Sequence, residues 1–231
     1  MKTLDKFITR DFSNPGKSNV ISTNFMTVSS HHVASSVGID ILKNGGNAVD
    51  AALAMSAVLC VAEPHMTGIG GDCFAMLSTD GSSNIKALNA SGKSSENSSA
   101  SYLRNNGIKI IKPEMPDAIT IPGAVAGWGL LHKEHGYMPW NEIFQPAINH
   151  AKSGIIVHER VAYDWAKNTE KLLADTDTSK IFLNGKKPFG VMENFKNIKL
   201  SKTFETIASE GIAGFYNGWV ADDMLEKLKS I

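Results

Sequence analysis

The chain has 231 residues, of which 42% are hydrophobic and 20% charged, so it suits one large or two small soluble units with room for a real core. Lysine plus arginine and aspartate plus glutamate balance at 23 each, which gives no reason to expect nucleic acid or an anionic membrane as partner. The longest apolar stretch, AALAMSAVLCVA (51–62), is too short to span a bilayer.

The N-terminal MKTLDKFITRDFSNPGKSN alternates charge with short apolar pieces and lacks the continuous apolar run of a secretion signal. The two cysteines, Cys60 and Cys73, sit in apolar surroundings and form no disulfide framework, so reduced thiols and a cytoplasmic location are expected. FMTVSS (25–30) reads as a short strand. An amphipathic helix follows, with Val33, Val37, Ile41 and Leu42 on one face, and Gly45–Gly46 stop it. Asn47 then caps a second helix, with Asp50 at its third position. That helix is apolar nearly all round and is expected at the centre of the core.

CFAMLS (73–78) and IKALNA (85–90), joined by TDGSSN, read as a hairpin with an Asp-Gly turn. The serine-rich 91–101 is a loop or a helix entry. From 122 onwards helices dominate: PGAVAGWGLLHKEHG, PWNEIFQPAINHAKSG, HERVAYDWAKNTEKLLA, SKTFETIASEG and GFYNGWVADDMLEKLKS. The expected class is α+β with a helical second half.

Several sites compete. EPHMTGIGGDCF (63–74) carries Gly68, Gly70 and Gly71, but no Lys-Ser/Thr follows them as in a P-loop. A helix precedes and a strand follows, the reverse of a dinucleotide fingerprint. His65, Asp72 and Cys73 share the loop, yet no second His or Cys pair supplies metal-ligand spacing, and no metal or cofactor is expected. The residues favour a helix-to-strand corner where glycine permits positive φ or close backbone approach. His31–His32 stand at a strand end. His132 and His135 suit a solvated helix C-terminus, and His150 and His158 read as surface residues. No Gly-x-Ser-x-Gly elbow occurs, and Ser91, Lys93 and Ser94 in NASGKSS do not form a Ser-x-x-Lys pair. The aromatics of YDWAK and FYNGW read as the edge of an amphipathic core.

Residues 41–77, ILKNGGNAVDAALAMSAVLCVAEPHMTGIGGDCFAML, resemble the N-terminal signature of the gamma-glutamyltranspeptidase family. IPGAVAGWGLLHKEHGYMPWNEIFQPAINHAKSGIIV (121–157) and GFYNGWVADDMLEKL (214–228) extend the resemblance over roughly residues 25 to 230. The resemblance implies an N-terminal nucleophile hydrolase, a self-cleaving precursor whose new N-terminal Thr attacks a γ-glutamyl amide such as glutathione. Large and small subunits of such a precursor interleave in an αββα sandwich. Residues 1–231 would be the large-subunit part of one such domain, helix-rich and incomplete without a C-terminal small subunit from the same precursor.

Two departures from the family pattern stand out. No Thr here matches the family's cleavage site, since Thr176, Thr178 and Thr203 lie in helical or loop contexts, so the chain carries no catalytic residue and is expected to be inert alone. The family's carboxylate-gripping Arg, in a segment like Asp-Phe-Arg-Glu after the second strand, is met here by NASGKSS. That places Ser91 at the Arg position and Lys93 two residues on as candidate substrate-binding residues. The pattern is closest to the cytoplasmic transferase-like and cephalosporin acylase branch. A glutaryl-type acylase and a truncated, non-enzymatic homologue remain alternative readings. His65 and Asp72 are expected to brace the corner rather than to react.

Overall fold

A computed structural model describes residues 19–96, 98–113 and 115–229. Most of the N-terminal stretch expected to lack a secretion signal lies outside the described residues. Helices α1 (His32–Lys43) and α2 (Ala48–Ala62) are followed by strands β1 (Cys73–Leu77) and β2 (Lys86–Ala90). Next come α3 (Ala100–Asn105), a 3-10 turn at Pro116–Ala118, α4 (Ala124–His135) and α5 (Trp140–Ser153). The second half holds β3 (Ile155–Ile156), α6 (Glu159–Lys167), α7 (Thr169–Leu173), α8 (Thr176–Phe182), β4 (Asn194–Phe195), α9 (Ile198–Glu210), α10 (Ala213–Tyr216) and α11 (Gly218–Lys229). The expected α+β class holds, with two small antiparallel ladders, β1–β2 and β3–β4.

The centre is α2, packed against α1, α4 and α5, while α5 also packs on α9. Leu53, Val58 and Val61 on α2 are buried, each contributing about 1.5–3 kcal/mol by leaving water. The α2 N-terminus forms a complete capping box. The Asn47 side chain accepts from the amides of Val49 (2.9 Å) and Asp50 (3.0 Å), and the Asp50 carboxylate accepts from the Asn47 amide (2.9 Å). Asp50 is 0% exposed and does more than cap. It also accepts from the amides of Tyr137 (3.0 Å) and Met138 (3.1 Å), and Asn47 Nδ2 donates to His135 O at 2.6 Å. One buried charge thus binds the start of α2 to the turn between α4 and α5.

The hairpin pairs Cys73 with Ala90, Ala75 with Leu88 and Leu77 with Lys86 on its inner face, which packs on α4. The outer face carries Phe74, 66% exposed, and Met76, 78% exposed. Some elements depart from the sequence reading. FMTVSS pairs with no described strand; the Thr27 and Ser29 hydroxyls instead donate to the carbonyls of Ser35 and His31 at the start of α1. The helix expected over HERVAYDWAKNTEKLLA breaks at Asn168 into α6 and α7. That over GFYNGWVADDMLEKLKS breaks at extended Asn217 and positive-φ Gly218. Helix α8 and the two-residue ladder Ile155–Phe195 were not expected at all. Among the described residues no helix is long and apolar enough to cross a membrane.

Replacing Asp50 by Ala leaves the amides of Asn47, Tyr137 and Met138 without their acceptor and removes one half of the capping box, so stability should fall by about 3 kcal/mol. Proteolysis in urea at low protein concentration reads this difference. A change within about 0.5 kcal/mol, the range of an ordinary surface site, would contradict the role given to Asp50.

Candidate functional site

The corner after α2 is held from three sides. Glu63, at the end of α2, is buried; its carbonyl accepts from the amides of Met66 and Thr67, and its carboxylate accepts from the Ser30 hydroxyl. His65 Nε2 lies 3.4 Å from Asp164 Oδ2, and that same oxygen takes Arg160 Nε at 2.5 Å. Burial lowers the His65 pKa, against the opposing pull of Asp164, and the contact ties α6 to the corner. Further along, the Gly71 carbonyl accepts from Gly123 N (3.0 Å) and Ala124 N (2.9 Å), at the start of α4.

Asp72 Oδ1 accepts from Gly92 N at 2.9 Å, which brings the corner onto the segment between Ser91 and Lys93. Lys93 O accepts from Ile121 N at 2.9 Å, and Ser94 bridges Thr120 in antiparallel fashion. The Ser91 amide is turned onto Asn89 Oδ1 at 2.9 Å. The backbone of 91–93 is therefore pinned on both sides, while Ser91 and Lys93 themselves are exposed. The structure thus brings the corner and the Ser91–Lys93 segment together, with His65 and Asp72 both bracing it. Among the corner glycines the physical demand is weak: a Cβ on Gly68 or Gly70 would meet nothing, and neither has positive φ. The strict demand falls at two positions the sequence reading did not single out. A Cβ on Gly92 would strike the Ile121 carbonyl, and one on Gly123 the Ala90 carbonyl. These glycines let three chain segments close on one another. Close approach across distant segments leaves no local sequence signal.

The histidines are arranged otherwise than expected. His31 is only 1% exposed, and His150 and His158 are half-buried rather than on the surface. The His31 ring stacks on His32 at 4.8 Å and meets His158 at 4.5 Å. His31 Nδ1 caps α1 by accepting from Val33 N, and His158 Nδ1 caps α6 by accepting from Arg160 N, each at 3.2 Å. Burial, followed by the neighbouring His158, His32 and His150, pushes the His31 pKa down from 6.5 to about 4. Burial likewise lowers His158, against the pull of Glu63, and His150. His132 and His135 are half-buried too: His132 Nε2 meets Met138 O at 2.8 Å, and the His135 carbonyl serves Asn47. They pack into the turn between α4 and α5 instead of pointing to solvent.

Burial pushes the Cys60 thiol up to about 12 and raises that of half-buried Cys73, so neither is a ready thiolate. Among the described residues no three His, Cys, Asp or Glu side chains are arranged to hold a metal. Thr176, Thr178 and Thr203 all lie within helices α8 and α9. Of the FYNGW and YDWAK aromatics, Phe215 and Trp165 are core residues rather than edge residues, and Tyr216 is half-buried.

A protein-family model described as gamma-glutamyltranspeptidase matches residues 34–231, and the chain belongs to that family. It is 34% identical over 212 residues to a glutathione hydrolase-like proenzyme (YwrD) of Bacillus subtilis, covering 92% of this chain and 40% of that one. Among solved structures it superposes on Helicobacter pylori gamma-glutamyltranspeptidase with a TM-score of 0.86 at 27% identity, covering 92% of this chain and 62% of that one. Cephalosporin acylase from Bacillus halodurans gives 0.78 at 28% identity, covering 91% of this chain and 42% of that one. The chain thus spans about two fifths of the length of the Bacillus subtilis relative it matches.

The capping histidines make stability pH-dependent. A histidine whose pKa is lowered by folding takes its proton first in the unfolded chain, so stability falls as pH drops from 6.5 towards about 4. Protonated Nδ1 also cannot accept the capping amide, and a positive charge opposes the helix dipole there. The melting temperature of His31→Asn, which keeps a cap acceptor but does not titrate, should fall less than that of the unmodified chain from about pH 7.5 to about pH 4.5. Parallel curves would show that His31 does not drive the acid sensitivity.

Proposed function

We propose that this chain is the large-subunit portion of a self-processing acyltransferase or hydrolase acting on γ-glutamyl amides, with the Ser91–Lys93 segment at the substrate carboxylate. The nucleophilic Thr would come from a small subunit cut from the same precursor, in keeping with the proenzyme name of the Bacillus subtilis relative. The observation that carries this reading is the frame around Gly92, which offers two exposed polar side chains on a backbone pinned by Asp72 and Ile121. Lys93 would hold the carboxylate as a point charge, a looser grip than the bidentate fork of an Arg. The exposed Phe74–Met76 face of the hairpin is an inner surface in this reading, covered by the second sheet of an αββα sandwich.

The likeness to cephalosporin acylase, with Ser91 where the family's Arg is expected, supports a second reading as a glutaryl-type amidase. The two readings separate on the complete, processed protein. The first expects γ-glutamyl anilide to be cleaved with the higher kcat/KM. A preference for glutaryl anilide, which keeps the distal carboxylate and lacks only the α-amino group, favours the acylase and sinks the first.

Lys93→Ala supplies the residue-level check. Losing a charge-assisted contact should raise KM for the γ-glutamyl anilide roughly tenfold. Because Lys93 is exposed, stability should stay within about 0.5 kcal/mol. An unchanged KM would remove Lys93 from the binding site.

A further inference from the structure

Helix α4 begins without a capping side chain: its N-cap is Gly123, and its first amides depend on acceptors from elsewhere. The Gly71 carbonyl takes the amides of Gly123 and Ala124. The amide of Ala126 is taken by the hydroxyl of Tyr216, 90 residues away at the end of α10, at 3.1 Å. The same hydroxyl donates to Pro122 O at 2.6 Å, so it both gives and receives, as a phenol can. Tyr216 is half-buried, and its ring meets Phe215 edge-on at 5.0 Å. Burial raises its pKa, which keeps the proton available for Pro122.

These bonds close a ring of three chain segments. From Pro122 the chain steps back to Ile121, whose amide holds Lys93 O. From Lys93 it steps back to Gly92, whose amide is held by Asp72, and from Asp72 to Gly71, which returns to the start of α4. Tyr216 fastens this ring to α10, which packs on α9 and α11. The contacts of Gly92 and Gly123 with the facing carbonyls leave the ring little slack, so a shift at Pro122 must pass to Lys93.

We propose that Tyr216 is a positioning residue for substrate recognition: its hydroxyl, by capping α4 and holding Pro122, sets the height at which Ser91 and Lys93 are presented. This rests on the γ-glutamyl reading for its substrate and on the hydrogen-bonded ring for its mechanism. Tyr216 touches no reacting atom, so it should act on binding and leave the chemical step alone.

The test uses the complete, processed protein and compares Tyr216→Phe, Asp72→Ala and the double variant with the unmodified enzyme. Tyr216→Phe keeps the ring packing and deletes both hydrogen bonds. KM for the γ-glutamyl anilide should rise about fivefold to tenfold with kcat per active site within about twofold, since orientation in the bound state is what is lost. Amide exchange at Gly92, Gly123 and Ala124 should quicken by about tenfold through local opening. Asp72→Ala breaks the ring elsewhere and should raise KM by a similar factor. The double variant should be no worse than the more affected single one, because residues acting through one network are not additive. Unchanged KM and exchange, a fall in kcat alone, or additive effects would each overturn the proposal. If the unmodified enzyme cleaves no γ-glutamyl anilide, the functional reading falls, and exchange at Gly92 alone decides whether Tyr216 orders the segment.

Discussion

A carboxylate removed from water must be surrounded by donors, and those that Asp50 finds are backbone amides of Asn47, Tyr137 and Met138. Two of the three come from the turn between α4 and α5, so the charge cannot be satisfied unless that turn has docked on the N-terminus of α2. With α2 in place, α1 and α5 close over its apolar surface. The far end of α4 then reaches the glycine corner that follows α2, where Gly71 takes its first amides. Helix α4 therefore lies along α2 in the opposite sense, held at one end by Asp50 and Asn47 and at the other by Gly71 and Tyr216.

That arrangement explains why the corner is rigid and its neighbour presentable. The hairpin packs its inner face on α4, and β2 runs directly into Ser91, Gly92 and Lys93. A segment held by its backbone can offer side chains to solvent without losing its position, which is what a recognition surface requires. Among the described residues, the side chains that could serve as nucleophiles are quiet ones. The two thiols stay protonated, and the three threonines considered all lie inside helices.

Features that depend on near neighbours in the chain were legible in the sequence. The Gly45–Gly46 stop, the Asn47–Asp50 pairing at the helix start, the central apolar helix and the hairpin of CFAMLS with IKALNA all follow from local spacing, and all are present. What was not legible depends on distant partners. FMTVSS has strand-like composition but joins no ladder, its hydroxyls being turned onto the start of α1 instead. His31 was placed at a strand end and His158 on the surface, although each supplies a helix cap and their rings meet across α1 and α6. The corner glycines were expected to permit positive φ or close backbone approach, whereas near the Ser91–Lys93 segment a Cβ is barred at Gly92 and Gly123, which stand apart and face carbonyls from remote segments. Tyr216 was read with its FYNGW neighbours as the edge of an amphipathic core, and its two hydrogen bonds reach 90 and 94 residues away. The family itself was legible because the 41–77 signature is long and ordered, and the match over residues 34–231 agrees with it.

The most direct test of the account is a crystal structure of the complete, processed protein with a slowly turned-over γ-glutamyl ligand bound. The account predicts the ligand's α-carboxylate within hydrogen-bond reach, about 3 Å, of the Ser91–Lys93 segment, with Asp72 still holding Gly92 and Tyr216 still holding Pro122. A ligand seated elsewhere, with Ser91 and Lys93 facing bulk solvent, would contradict it.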